Sequence, residues 1–108
     1  MSGDSVRITV FFKHDQSKNL EEIDEVLFRQ GFWSNFPPEG VDIVDWKVLM
    51  GIGQVVTLEM PPEKVRAVNV MIERSAWGAF RTEFYPTYDF LPVLEAKRAE
   101  AKRREGMK

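Results

Sequence analysis

The chain has 108 residues, 44% of them hydrophobic, and a net charge of −2, which leaves room for one domain with a modest core and is too apolar for disorder. With no Cys and a single His, disulfides, thiolate nucleophiles, iron–sulfur clusters and any metal site needing two imidazoles from one chain are excluded. The charge is uneven: residues 95–108 hold six Lys/Arg against three Glu, a net +3 that leaves −5 for residues 1–94, so the body lacks the broad basic surface that nucleic acid requires.

No apolar run approaches the roughly 20 residues needed to cross a bilayer. The opening "MSGDSVR" carries no basic region followed by an apolar segment, so nothing marks it for export. A cytoplasmic protein with no membrane and no nucleic-acid partner is expected.

In chain order, residues 5–14 alternate, with Val6, Ile8, Val10, Phe12 and His14 on one face and Arg7, Thr9, Phe11 and Lys13 on the other, which predicts a first strand. Asn19 followed three residues later by Glu22, then Leu20, Ile23 and Leu27 near helical spacing and Gly31 as a stop, predict a first helix. "GFWSNFPPEG" reads as a loop, but Phe32, Trp33 and Phe36 carry more apolar surface than a solvated loop holds, so it must rest on something. From Val41 to Met60 two strand-like runs flank "GIG", predicting a hairpin. Its first strand sets Val44, Trp46 and Val48 against Asp45 and Lys47, and its second sets Val56, Leu58 and Met60 against Thr57 and Glu59. Opposing Lys47 to Glu59 favours one register, whereas the alternative sets Asp45 against Glu59.

Pro62 at a first helical position and the stripe Val65, Val68, Met71, Ile72, Ser75 and Ala76, ending near Gly78, predict a second helix. Residues 81–88 alternate as a last strand until Pro86 disrupts the ladder. After Asp89 come strong helix formers anchored only by Phe90, Leu91, Val93 and Leu94, so a helical tail is expected to fray beyond that anchor. The "GIG" element lacks dinucleotide-binding spacing and reads as a turn.

The order βαββαβ predicts an α+β, ferredoxin-like sandwich over residues 1–90: a four-stranded antiparallel sheet with two helices on one face, followed by a charged helical tail over 91–108. The face bearing Ile8, Val10, Phe12, Val44, Trp46, Val48, Val56, Leu58 and Phe84 is nearly pure hydrocarbon and should lie beneath the helices. The other mixes Arg7, Lys13, Asp45, Lys47, Glu59, Arg81 and Glu83 with Phe11, Leu49, Val55 and Tyr85, which is not the composition of a purely solvated surface. An RNA-recognition module needs aromatics on the open faces of its first and third strands; here the third shows Val55, Thr57 and Glu59.

With this strand order, this two-sided sheet and the ending "WGAFRTEFYPTYDF", the chain resembles the dimeric α/β-barrel superfamily over roughly residues 5–90. The resemblance implies two sheets packed face to face in a homodimer, and relatives that include muconolactone isomerase-like enzymes, cofactor-free monooxygenases, haem-degrading enzymes and stress-responsive proteins. It also implies a ligand at the strand end where sheet and helices diverge. Haem-degrading members place the axial histidine on a helix, whereas His14 ends a strand, so no cofactor and no metal are expected.

His14, on the face of Phe12, is the candidate catalytic residue, because an imidazole exchanges protons near neutral pH. Asp15, Glu59, Trp46 or Tyr88 are candidates to complete its pocket. The competing role is a histidine that hydrogen-bonds the turn before the first helix. Phe12, Trp33, Phe36, Trp46 and Tyr88 are the candidate substrate-binding residues, offering flat apolar walls and a hydroxyl. Three functions compete: a cofactor-independent isomerase or monooxygenase acting on a small apolar or aromatic substrate; a non-catalytic, dimeric ligand-binding or stress-associated module; and a structural or interaction subunit whose cleft is filled by its own aromatics.

Overall fold

The computed structural model describes residues 4–107; Met1–Gly3 and Lys108, which belong to the segments expected above, lie outside the described residues. Strands β1 (Val6–His14), β2 (Asp42–Leu49), β3 (Gly53–Met60) and β4 (Phe80–Thr87) form one antiparallel sheet in the order β2-β3-β1-β4. The helices are α1 (Leu20–Arg29), α2 (Phe32–Asn35), α3 (Val65–Ala76) and α4 (Leu91–Gly106). The fold is therefore of the α+β class. None of the helices among the described residues is long and apolar enough to cross a membrane.

Alternation sorts the central strands as their sequence dictates. Ile8, Val10, Phe12, Val56 and Leu58 are buried in one cluster with Ile23, Val26 and Leu27 of α1 and Val68, Ile72 and Ala76 of α3. Thr9, Phe11, Val55 and Thr57 stay half-buried on the opposite face. α1 starts on a capping box in which Asn19 Oδ1 accepts from the Glu22 backbone N–H at 2.8 Å and Glu22 Oε1 accepts from that of Asn19 at 2.8 Å. Gln30 Nε2 donates to the carbonyls of Ser75 (2.8 Å) and Trp77 (3.0 Å), tying the end of α1 to the end of α3.

β2 departs from simple alternation. Ile43 opposes Leu58 and Asp45 opposes Thr57, so Val44 is an extra, bulged residue. A bulge shifts the parity of everything before it. Ile43, not Val44, therefore shares the face of Trp46, and because β2 is an edge strand, Val44 and Val48 remain exposed instead of lying beneath helices. The same shift sets Asp42 opposite Glu59 and Lys47 opposite Val55, replacing both expected registers; Lys47 Nζ pairs with Asp45 on its own strand. At the tip, the Ile52 N–H donates to the Leu49 carbonyl at 2.9 Å. A side chain on Gly53 would meet the Phe12 carbonyl oxygen at 1.8 Å, so only glycine fits where β3 begins beside β1.

The aromatic loop does rest on something. Its first part is α2, whose Phe32 is completely buried, edge-on to Phe12 at 5.7 Å and stacked on Phe36 at 5.1 Å. α4 runs to Gly106 instead of fraying after Leu94, helped by its Ala, Glu, Lys and Arg content and by Arg104, whose Nε and Nη2 donate to Glu100 Oε2 at 2.9 and 2.6 Å. It buries no residue. The chain consequently has a radius of gyration of 18.4 Å and extends 62 Å, against about 13 Å of radius for a compact chain of this length.

Candidate functional site

His14 is the last residue of β1, and three contacts fix it there. Its backbone N–H donates to the Ile52 carbonyl at 2.8 Å, it pairs with Phe80 across β4, and its ring stacks on that of Phe80 with centroids 5.8 Å apart and planes 22° from parallel. The side chain is half-buried, and no hydrogen bond to its ring nitrogens occurs among the described residues. The turn before α1, which a capping histidine would hold, is held by its neighbour: Asp15 accepts from the Ser17 N–H (3.0 Å), the Ser17 hydroxyl (2.7 Å) and Lys18 Nζ (3.2 Å). These hydrogen bonds, the Ser17 hydroxyl first, hold the Asp15 carboxyl down at about 2.

The His14 imidazole opens onto a cavity of about 250 Å³ whose walls are Leu20, Ile23 and Leu27 of α1, Trp33 of α2 and Gln54 of β3, with the carboxylates of Glu21 and Asp24 at its side. Gln54 is oriented: its Oε1 accepts from Trp46 Nε1 at 2.5 Å. Its Nε2 has no partner among the described residues, so the amide presents a donor. Trp33 stacks on Trp46 with centroids 6.3 Å apart and planes at 17°, giving the cavity a flat wall. An imidazole that accepts or gives a proton, an amide that donates to an oxygen, and aromatic and aliphatic walls are the parts needed to move a proton on a small carbonyl-bearing molecule. Among the described residues no group of three or more His, Asp or Glu gathers to hold a metal ion.

Comparison with known proteins finds no matching family model, no matching curated protein and no matching solved structure.

Of the residues expected to serve the site, the structure brings Trp33 to His14, and Trp46 reaches the cavity through Gln54. Phe12 and Phe36 belong to the core, Phe12 being 1% exposed and Phe36 packed against Phe12 and Trp46. Tyr88 follows Thr87, which pairs with Arg7, so it lies at the opposite end of the sheet from His14 and is exposed. Glu59 also pairs with Arg7, seven residues from His14, which is roughly 24 Å along an extended strand, and it points to the other face. Gln54 is the residue the sequence reading passed over. Its signal was present: parity places it with Val56 and Leu58, as the polar member of an otherwise apolar face.

A larger cavity of about 500 Å³ opens between α3 and β4, beside Trp77, Phe80 and Phe84. Its charged groups are Asp15, Glu73 and Arg81, with no imidazole among them. The His14 cavity is smaller, and it is the one of the two that an imidazole lines.

The open sheet face carries a second cluster. Lys13 Nζ donates to Glu83 Oε2 at 3.0 Å and the Tyr85 hydroxyl to Glu83 Oε1 at 3.1 Å, while Tyr85 meets Phe11 edge-on at 5.8 Å. The bonds from Lys13 and Tyr85 lower the Glu83 carboxyl, and the same Glu83 bond raises the Tyr85 phenol. At the other end Glu59 accepts from Ser5 (2.8 Å) and Arg7 (3.4 Å). Six charges on this face pair with one another, Arg7 with Glu59, Lys13 with Glu83 and Lys47 with Asp45, whereas Asp42 and Arg81 form no ion pair among the described residues, and the middle of the face is apolar or hydroxylic.

Proposed function

We propose that the protein is a small, cofactor-independent enzyme that transfers a proton on a compact apolar or aromatic carbonyl compound, by isomerisation or as part of an oxygenation, with His14 as the acid/base. The observation that carries this reading is the unpartnered imidazole at the mouth of an aromatic cavity, with the structural task at that position already taken by Asp15. In this reading Gln54 Nε2 donates to the substrate oxygen and Trp33 stacks on its plane. The volume of about 250 Å³ suits a small substrate.

The sandwich is ferredoxin-like in this proposal, with α1 and α3 on one face, and the other face closes against a second copy as in the dimeric α/β-barrel superfamily that the sequence resembles. The support is the open face itself: half-buried Phe11, Val55 and Thr57 are incompletely shielded in one chain. A cytoplasmic location follows as part of the same reading.

The test is a turnover screen of small lactones, enols and phenols on the wild type and His14→Ala. General acid–base catalysis contributes typically 10²–10⁴-fold, so turnover of any substrate found should fall by about that factor while the unfolding midpoint holds. Unchanged turnover in His14→Ala overturns the assignment. One observation favours the second reading, a ligand-binding module without chemistry: among the described residues no carboxylate hydrogen-bonds His14 to orient it. Quenching of Trp33 emission by phenols, without turnover in either protein, would support that reading.

A further inference from the structure

The open sheet face has one charge left over at each of two opposite corners. At the first, Asp42 of β2 opposes Glu59 of β3, and Glu59 is already taken by Arg7. At the second, Arg81 of β4 opposes Lys13 of β1, and Lys13 is already taken by Glu83. Each corner thus sets two like charges side by side across neighbouring strands, an unfavourable arrangement, with a counter-ion for only one of them. Arg7, Glu59 and Asp42 sum to −1, and Lys13, Glu83 and Arg81 to +1. Asp42 owes its place to the bulge at Val44: simple alternation would set it on the face of Trp46, and the extra residue turns it to the open face. Arg81 stands on an edge strand and also borders the cavity beside Trp77. Its charge reaches the open face even so, since the Glu83 carboxyl is held down by the Lys13 bond first and by the Arg81 charge as well.

The corners cannot serve each other within one chain. Asp42 lies level with Arg7, and Arg81 with Lys13, so six residues along the strands and three strand spacings across them separate the two, a diagonal of roughly 25 Å. We infer that a second copy supplies the missing counter-ions: Arg81 of each molecule pairs with Asp42 of the other. This rests on the face-to-face pairing proposed above and fixes its orientation. A two-fold axis in the interface plane, perpendicular to the diagonal, exchanges the two corners, so both pairs form at once as an isologous contact requires. It crosses the diagonal level with Val10, between β3 and β1, over half-buried Thr9, Phe11, Val55 and Thr57. The strands of the two sheets then cross at a steep angle, as in orthogonal sheet packing. An axis along or across the strands would instead set both charges against Leu49 or Thr87, and an axis along the diagonal would set each against its own copy. Charges at a rim choose orientation more than they add affinity, so the corners orient the sheet-face pair and its apolar middle holds it.

Charge reversal tests the contact between molecules. Arg81→Asp and Asp42→Arg, each alone, set like charges together at both corners and should weaken association about tenfold or more, read by light scattering over a dilution series with circular dichroism to show that each is folded. Mixed in equal amounts, the two variants restore an unlike pair at both corners, and the mixture should regain twice the 12.5 kDa chain mass. Should either reversal fail to fold, Arg81→Gln and Asp42→Asn take its place: each should weaken the pair, and combining them should add no further loss, because both remove the same contact. Unchanged association in both single variants, a mixture that stays weakened, or neutral variants whose losses add overturns the corner pairing; with a dimeric wild type the sheet-face pairing still stands. A monomeric wild type overturns both.

Discussion

The hydroxyls of Thr9 and Thr57 lie 3.2 Å apart across β1 and β3, one residue along from Val10 and Val56, which pair with each other and are completely buried. A single step along each strand thus passes from a polar pair on the open face to an apolar pair in the core. Truncations at adjacent residues should differ accordingly. Leu58→Ala, at a fully buried position, should lower unfolding free energy by about 2–5 kcal/mol. Thr57→Ala should cost under about 1 kcal/mol. Urea denaturation of both proteins measures the difference, and equal losses would contradict the two-sided sheet.

Phe32 should behave as a core residue although it sits in a stretch that reads as a loop. It contacts Phe12, Phe36, Trp33 and Trp46, so Phe32→Ala should destabilise by about 3–5 kcal/mol. It should also loosen Trp33 and Trp46, seen as a red shift in tryptophan emission below the unfolding transition. An unshifted spectrum with native stability would detach α2 from the core.

Asp15 supplies a pH dependence of definite sign. Its carboxyl is lowered from 3.8 to about 2 by Ser17 and Lys18, so the folded state holds the ionised form more strongly than the unfolded chain does. That contribution is fully present above about pH 4 and is lost as pH falls toward 2. Wild type should therefore exceed Asp15→Ala in unfolding midpoint by a constant margin at neutral pH, and the margin should shrink between pH 4 and 2. A margin that grows on acidification would reverse the assignment.

How much of this was legible in the sequence depended on whether the signal was local. The Asn19/Glu22 box, the alternation of β1 and β3 and the turn at "GIG" all follow from side chains that act on their own backbone, and each stands where the pattern put it. The Val44 bulge does not follow from the sequence of β2, because it is set by pairing with β3, and so Val44 was placed on the face of Trp46 that Ile43 takes. α2 was hidden because Phe32 is held by tertiary burial, not helix propensity. At the candidate site, His14 was readable by type and parity and Trp33 by type alone. Tyr88 and Glu59 were candidates by type alone, and only the antiparallel register of β1 with β3 and β4 reveals that they lie at the far end of the sheet.

The most direct test of the account is the mass in solution of the wild type and of Thr57→Arg. An unpaired charge at the centre of a covered face should weaken association at least tenfold, about 1.4 kcal/mol or more, while an exposed face tolerates it. Light scattering at micromolar concentration should give twice the 12.5 kDa chain mass for the wild type and a shift to the single-chain mass for Thr57→Arg with its fold retained. A monodisperse monomer for the wild type would contradict the claim that this sheet face is made for a second copy.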